Sequence, residues 1–167
     1  VFQDPQGSLN PRLTIGASIA EGLGPGHSLS DDRVRKLVAQ ALEDVGIESH
    51  AMNRFPHEFS GGQRQRISIA RALIGGPDIV LADEAVSALD VSVRNQVLEL
   101  LETAVRKHNV TLVFISHDLA VVRGLCPEVA VMHEGRLVDF GETESIWEHS
   151  SDEYTRKLIA AEKKHAL

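Results

Sequence analysis

Ile79-Val80-Leu81-Ala82-Asp83-Glu84 is a bare apolar run of four residues closed by two adjacent acids. A run that short, bounded by Gly75-Gly76-Pro77 upstream, predicts a strand with both faces covered rather than a helix. Downstream, Val91 to Lys107 places Val93, Val97, Leu100, Leu101 and Ala104 on one helical face, and Thr111 to Ser116 repeats the buried-strand pattern. Strand, helix, strand in that order predicts parallel pairing with a right-handed crossover. Asp83 and Glu84 would then stand at the carboxyl edge of a parallel sheet, where ligands of open α/β folds bind.

Upstream the pattern is helical. Val34, Leu37, Val38, Ala41, Leu42 and Val45 form one apolar stripe, so residues 30–45 are expected as an amphipathic helix, with Ser30 as cap, Asp31 and Asp32 at the positive end of its dipole, and Gly46 as its stop. A shorter helix is expected around residues 15–23, a loop over 53–59, and a helix from about Gly62 to Ile74. Ser60-Gly61-Gly62-Gln63 stands at the start of that helix. Unpaired N–H groups, a positive dipole and glycines that admit close approach make such a terminus either an anion site or a plain capped helix. Beyond residue 116 a short helix from Leu119, a hairpin of 129–133 with 136–140 about Glu134-Gly135, and a polar helical tail over 143–161 complete the reading.

Composition bounds the function. The chain has 167 residues, 17 Lys+Arg against 24 Asp+Glu and a net charge of −7, which argues against a general polyanion binder. The apolar runs are far below the roughly 20 residues of a membrane-spanning helix. Cys126 is the single cysteine, so neither an internal disulfide nor a cysteine cluster is expected. The histidines other than His117 show no metal-ligand spacing. Arg64, Arg66 and Arg71 recur on the helix after Ser60 and are expected in structural ion pairs or a helix contact. Val1-Phe2 reads as the tail of a strand, so the chain is expected to be a piece of a longer protein.

Taken together, Gln3, Ser60-Gly61-Gly62-Gln63, Asp83-Glu84, Ser87-Ala88-Leu89-Asp90 and Ser116-His117-Asp118, in this order, resemble the ATP-binding cassette (ABC) ATPases, over nearly the whole chain. The resemblance implies an α/β fold: the C-terminal part of a P-loop NTPase domain with parallel core strands and an inserted helical subdomain. It divides the chain into residues 1–76 (Q-loop and helical subdomain), 77–141 (the Walker B, D-loop and switch-histidine half of the core) and 142–167 (a helical extension). By the same resemblance Gln3 is the Q-loop glutamine that reaches Mg²⁺ and the attacking water. Ser60, Gly61, Gly62 and Gln63 grip the γ-phosphate of an ATP held by the opposite subunit. Asp83 holds Mg²⁺, Glu84 polarises water, and His117 contacts the γ-phosphate. Ser87 to Asp90 is the D-loop at the dimer interface. The cofactors implied are ATP and Mg²⁺.

Phe2-Gln3-Asp4-Pro5, Ser8 to Arg12, Pro56 to Arg66 and the Tyr154-Thr155-Arg156 tail are similar to the oligopeptide, dipeptide and nickel branch of bacterial ABC importers. The implied partners are a second ATPase subunit, transmembrane permease subunits and, indirectly, a solute-binding protein, with no nucleic acid. The implied place is the cytoplasmic face of the bacterial inner membrane. The implied activity is ATP hydrolysis driving uptake of peptides or a similar solute. A soluble ABC ATPase without a permease, and a non-catalytic half-cassette lending its signature motif in trans, are the alternatives.

Three departures stand out. No lysine follows a glycine anywhere in the chain, so the phosphate-binding loop G-x-x-x-x-G-K-[ST] is missing. The isolated piece is therefore expected to be inactive, poorly soluble or altered in packing. Ala85 stands where the family usually has proline, and Ala85→Pro is expected to leave activity similar or higher. No cysteine cluster follows near the C-terminus, so no iron–sulfur cluster is expected.

Overall fold

The computed structural model describes residue 1 and residues 7–165; Gln3 lies outside the described residues. The chain divides into two units, Val1–Ile115 and Ser116–Leu167.

The first unit opens with helix α1 (Ile15–Ala20), followed by α2 (Asp32–Asp44), α3 (Gly61–Leu73), β1 (Ile79–Asp83), α4 (Val91–His108) and β2 (Thr111–Ile115). Its core joins Ile15 and Ile19 of α1, Val34, Val38 and Leu42 of α2, Ile67, Ile69 and Ala70 of α3, and Val97 and Leu101 of α4. Two details of α2 differ from expectation. Asp31, not Ser30, caps it, accepting from the Arg33 N–H; an Asx side chain one residue nearer the first turn is the better-placed acceptor. Leu37 is half exposed, because the buried stripe narrows to the 34–38–42–45 row. The 53–59 segment is not a plain loop: single 3₁₀ turns occupy Ser49–Asn53 and Pro56–Glu58.

β1 and β2 pair in parallel, with Val80 opposite Leu112 and Ala82 opposite Phe114. Val1 lines the other side of β1, its amine donating to the Leu81 carbonyl and its own carbonyl accepting from the Asp83 N–H. The strands are not covered on both faces as expected. Val80 and Ala82 are buried, but Ile79 is 62% and Leu81 52% exposed, alongside Val113 at 45% and Ile115 at 47%. Alternate side chains of a strand point to opposite faces, and in this structure only one face of the pair meets the helical core.

The second unit holds α5 (Leu119–Leu125), β3 (Glu128–His133), β4 (Arg136–Glu142), α6 (Thr143–His149) and α7 (Glu153–His165). β3 and β4 form the expected antiparallel hairpin. Its two turn residues, Glu134 and Gly135, both take positive φ (48° and 75°), the conformation a two-residue hairpin turn needs to match strand twist. The tail is two helices rather than one. The break falls at Ser150–Asp152, where Asp152 accepts from the Thr155 N–H and hydroxyl and starts α7 afresh. His133 stacks on Tyr154 at 3.7 Å between ring centroids, tying α7 to the hairpin.

Candidate functional site

The start of α3 is built by reciprocal capping. Ser60 Oγ accepts the Gln63 N–H at 3.3 Å, and Gln63 Oε1 accepts the Ser60 N–H at 2.9 Å. Two of the four residues of this motif are thus held by each other, which sets the first turn and leaves the Ser60 hydroxyl proton able to donate outward. The two glycines differ in their surroundings. A Cβ on Gly62 would lie 2.3 Å from Val93 Cγ1, so this glycine lets α3 and α4 touch. A Cβ on Gly61 would meet nothing within 4 Å, and its φ is not in the left-handed region. Its openness leaves the first amides of α3 approachable, as an anion site requires.

The second cluster lies at the carboxyl end of β1. Asp83 is exposed and its backbone is fixed by Val1. Glu84 takes φ 46°, a left-handed conformation that costs a non-glycine residue roughly 1–2 kcal/mol. Three hydrogen bonds hold it there: its N–H donates to the Ile115 carbonyl at 2.9 Å, and its carbonyl accepts from the Ser87 N–H at 3.1 Å and the Ser87 hydroxyl at 3.0 Å. The strand therefore ends in a sharp turn that aims Glu84 differently from Asp83. Ala85 and Val86 are buried behind it. In the segment Ser87–Asp90, Leu89 is anchored in the core, Ala88 is exposed, and Asp90 leads directly into α4.

These clusters share one support. α4, which begins after Asp90, carries Val93 against Gly62 and Gln96 against Arg66, whose guanidinium donates to Gln96 Oε1 at 2.7 Å. The Ser60–Gln63 segment and the Asp83–Asp90 segment are thus brought onto one framework within the first unit. His117 belongs to the second unit. It is exposed, in a turn where the Asp118 N–H donates to Ser116 Oγ and Asp118 in turn caps α5.

Of the two expectations for the arginines, the helix contact is met by Arg66 against Gln96 of α4, while among the described residues Arg64 and Arg71 bond backbone carbonyls rather than carboxylates. Arg64 Nε donates to two backbone carbonyls, Pro56 at 2.9 Å and Phe59 at 3.0 Å, and Arg71 donates to the Ser8 carbonyl at 2.7 Å. Gln65 is fully buried, and among the described residues neither polar atom of its side-chain amide has a hydrogen-bond partner. The sequence places Val93 on the apolar face of α4 but shows neither its contact with Gly62 nor the Arg64 contacts, since both depend on chain segments brought together only by folding.

The residues present fit Mg²⁺ chemistry. Among the described residues no group of three or more His, Cys, Asp or Glu side chains could hold a metal. Magnesium, however, is commonly held by one or two carboxylates with water and substrate phosphates completing its shell, and Asp83 at an exposed strand end offers one such carboxylate.

The comparisons agree with this architecture. The family model described as ABC transporter matches residues 1–87, and the chain belongs to that family. It is 51% identical over 166 residues to the glutathione import ATP-binding protein GsiA of Salmonella typhimurium strain LT2, covering 96% of this chain and 26% of that protein. It is 49% identical over 162 residues to the peptidoglycan transport ATP-binding protein YejF of Agrobacterium fabrum, covering 96% of this chain and 30% of that one. The chain thus spans between a quarter and a third of the length of these relatives. Among solved structures, cbiO1 from Clostridium perfringens, described as part of the ABC transporter complex cbiONQ, superposes with a TM-score of 0.77 at 28% identity, over 99% of this chain and 64% of that one. The fold is α/β with a parallel strand pair, of the ABC ATPase class of P-loop NTPases.

Proposed function

We propose that this chain is part of the ATP-binding, ATP-hydrolysing subunit of an importer for peptides or a similar small solute. The observation that carries the reading is Asp83-Glu84 at the end of a parallel strand, with Glu84 locked in a left-handed turn by Ile115 and Ser87. The names of the relatives, glutathione import and peptidoglycan transport, favour a peptide-like solute.

In this reading Asp83 holds Mg²⁺, which supplies charge neutralisation on the phosphate oxygens. Glu84 accepts a proton from the attacking water, and the fixed turn spares it reorganisation at the moment of reaction. The Ser60 hydroxyl and the first amides of α3 donate to the γ-phosphate of a nucleotide on a second ATPase subunit. The family resemblance assigns Gln3 to the attacking water and His117 to the γ-phosphate. Ser87–Asp90 lies at the contact between the two subunits. A permease holds the assembly on the cytoplasmic face of the inner membrane, and a solute-binding protein delivers the solute.

The test is Glu84→Gln in the full-length protein. Hydrolysis is expected to fall by about 10²-fold or more, the scale of a lost general base, while ATP still binds. Unchanged hydrolysis would remove Glu84 from the mechanism. Co-purification with a membrane permease, and not with RNA or DNA, checks the transport assignment.

A further inference from the structure

We infer that Arg64 is a positioning residue for the Ser60–Gly61 phosphate-gripping turn, an inference that rests on the ATPase reading above. Arg64 sits in the first turn of α3, yet its side chain reaches back across the helix start. One N–H, on Nε, is shared between the carbonyls of Pro56 and Phe59 at 2.9 and 3.0 Å. Phe59 is the residue immediately before Ser60.

The chain enters α3 through two extended residues, Phe59 (ψ 149°) and Ser60 (ψ 164°). Extended residues outside a sheet have no ladder to fix them, so this pair is the natural pivot of the helix start. The reciprocal Ser60–Gln63 bonds fix Ser60 to α3 but do not reach the segment before it, which the buried Phe59 ring holds in the core. Arg64 adds a direct polar tie between that segment and α3. A guanidinium donor to a carbonyl is stronger than a neutral hydrogen bond, and sharing it between two carbonyls of one turn fixes that turn's orientation as well as its distance.

The segment being clamped is itself stiff. Glu58 Oε2 accepts the Phe55 N–H at 2.6 Å, and Arg54 donates from Nε to Glu58 Oε1 at 3.2 Å and from its terminal nitrogen to the Glu58 carbonyl at 3.0 Å. The Arg54 guanidinium also lies over the Phe59 ring, 4.6 Å from its centroid, and Phe59 is buried. Residues 54–59 therefore form a closed strap, and Arg64 fastens that strap to the helix whose N-terminus would meet the phosphate.

The experiment compares wild type, Arg64→Ala and Arg64→Lys in the full-length protein, with amide hydrogen exchange over residues 56–62, thermal midpoint, and kcat and KM for ATP. Removing an oxyanion donor outright costs about 10²–10³-fold in kcat, so loosening one is expected to cost about tenfold. The expected result for Arg64→Ala is faster exchange over 56–62 and a kcat about tenfold lower, with KM and the midpoint close to wild type. Arg64→Lys, whose ammonium can still donate to both carbonyls, recovers part of kcat. Unchanged exchange overturns the clamp. Faster exchange with unchanged kcat, or a kcat loss that tracks a fallen midpoint, overturns the positioning role. A wild-type protein that hydrolyses no ATP sinks the ATPase reading and the catalytic consequence with it, while exchange still judges the clamp by itself.

Discussion

Gly62 lies against Val93 so closely that a Cβ in its place would sit 2.3 Å from Val93 Cγ1, whereas Gly61, one residue earlier, would meet nothing within 4 Å. The same substitution at the two positions should therefore separate packing from ligand access. Gly62→Ala forces α3 off α4 and is expected to cost about 1–3 kcal/mol, as overpacking does. Gly61→Ala has room, and alanine suits a helix better than glycine. Its thermal midpoint should match or exceed wild type while ATP hydrolysis falls. Equal midpoints for the two variants would mean that the α3–α4 contact yields without cost.

Ser60 caps α3 and, in the function proposed above, also meets the γ-phosphate; a charge can pull these two apart. Its Oγ accepts the Gln63 N–H, a capping bond that aspartate makes equally well. Ser60→Asp should hold the helix within about 0.5 kcal/mol of wild type. The added negative charge would face the γ-phosphate, so hydrolysis should fall by about 10²-fold or more. Full-length protein that keeps both its midpoint and its activity would show that no phosphate reaches Ser60.

Much of this was legible because it depends on local pattern. The helix register of Val34, Val38 and Leu42, the parallel pairing implied by strand–helix–strand order, and the Glu134-Gly135 hairpin all follow from periodicity and turn chemistry. The coverage of β1 was not legible. A four-residue apolar run cannot say which neighbours cover each face, and the structure leaves Ile79 and Leu81 on the open side. The acids of the site were found as a pair at a strand end, but the left-handed turn at Glu84 was hidden, because it is imposed by hydrogen bonds to Ile115 and Ser87 rather than by glycine. The sequence marks Arg64 as a charge suited to an ion pair or a helix contact; its partners are carbonyls, which every residue carries and no sequence pattern marks.

Asp44 ties α2 to α4 through Lys107 Nζ at 2.6 Å, with Gln40 Nε2 at 2.9 Å and the His108 ring at 3.8 Å. Burial pushes its carboxyl up, but the hydrogen bonds from Lys107 and Gln40 and the charges of Lys107 and His108 outweigh that and hold it below its ordinary value. A carboxylate with a lowered folded pKa stabilises the fold above its unfolded value, near 4, and that stability is lost as pH falls through the folded value. Asp44→Asn should cost up to about 1 kcal/mol at pH 7. Thermal midpoints of wild type and variant should converge as pH falls through the folded value. A gap that persists in acid would mean that the contribution of Asp44 is packing rather than charge.

Glu84 is held at φ 46°, where glycine carries no steric penalty and glutamate does. Such strain at an acid on a strand end is expected where geometry serves chemistry rather than stability. Glu84→Gly removes the Cβ clash but adds backbone freedom to the unfolded chain, and these effects oppose each other at roughly 1 kcal/mol each. The variant should therefore be as stable as wild type or up to about 1 kcal/mol more so, while hydrolysis drops as far as in Glu84→Gln. The pair of measurements is thermal midpoint and ATP turnover on the full-length protein. A midpoint well below wild type would show that the Glu84 side chain supports the fold through its own contacts, and the left-handed turn would then be explained by packing and not by catalysis.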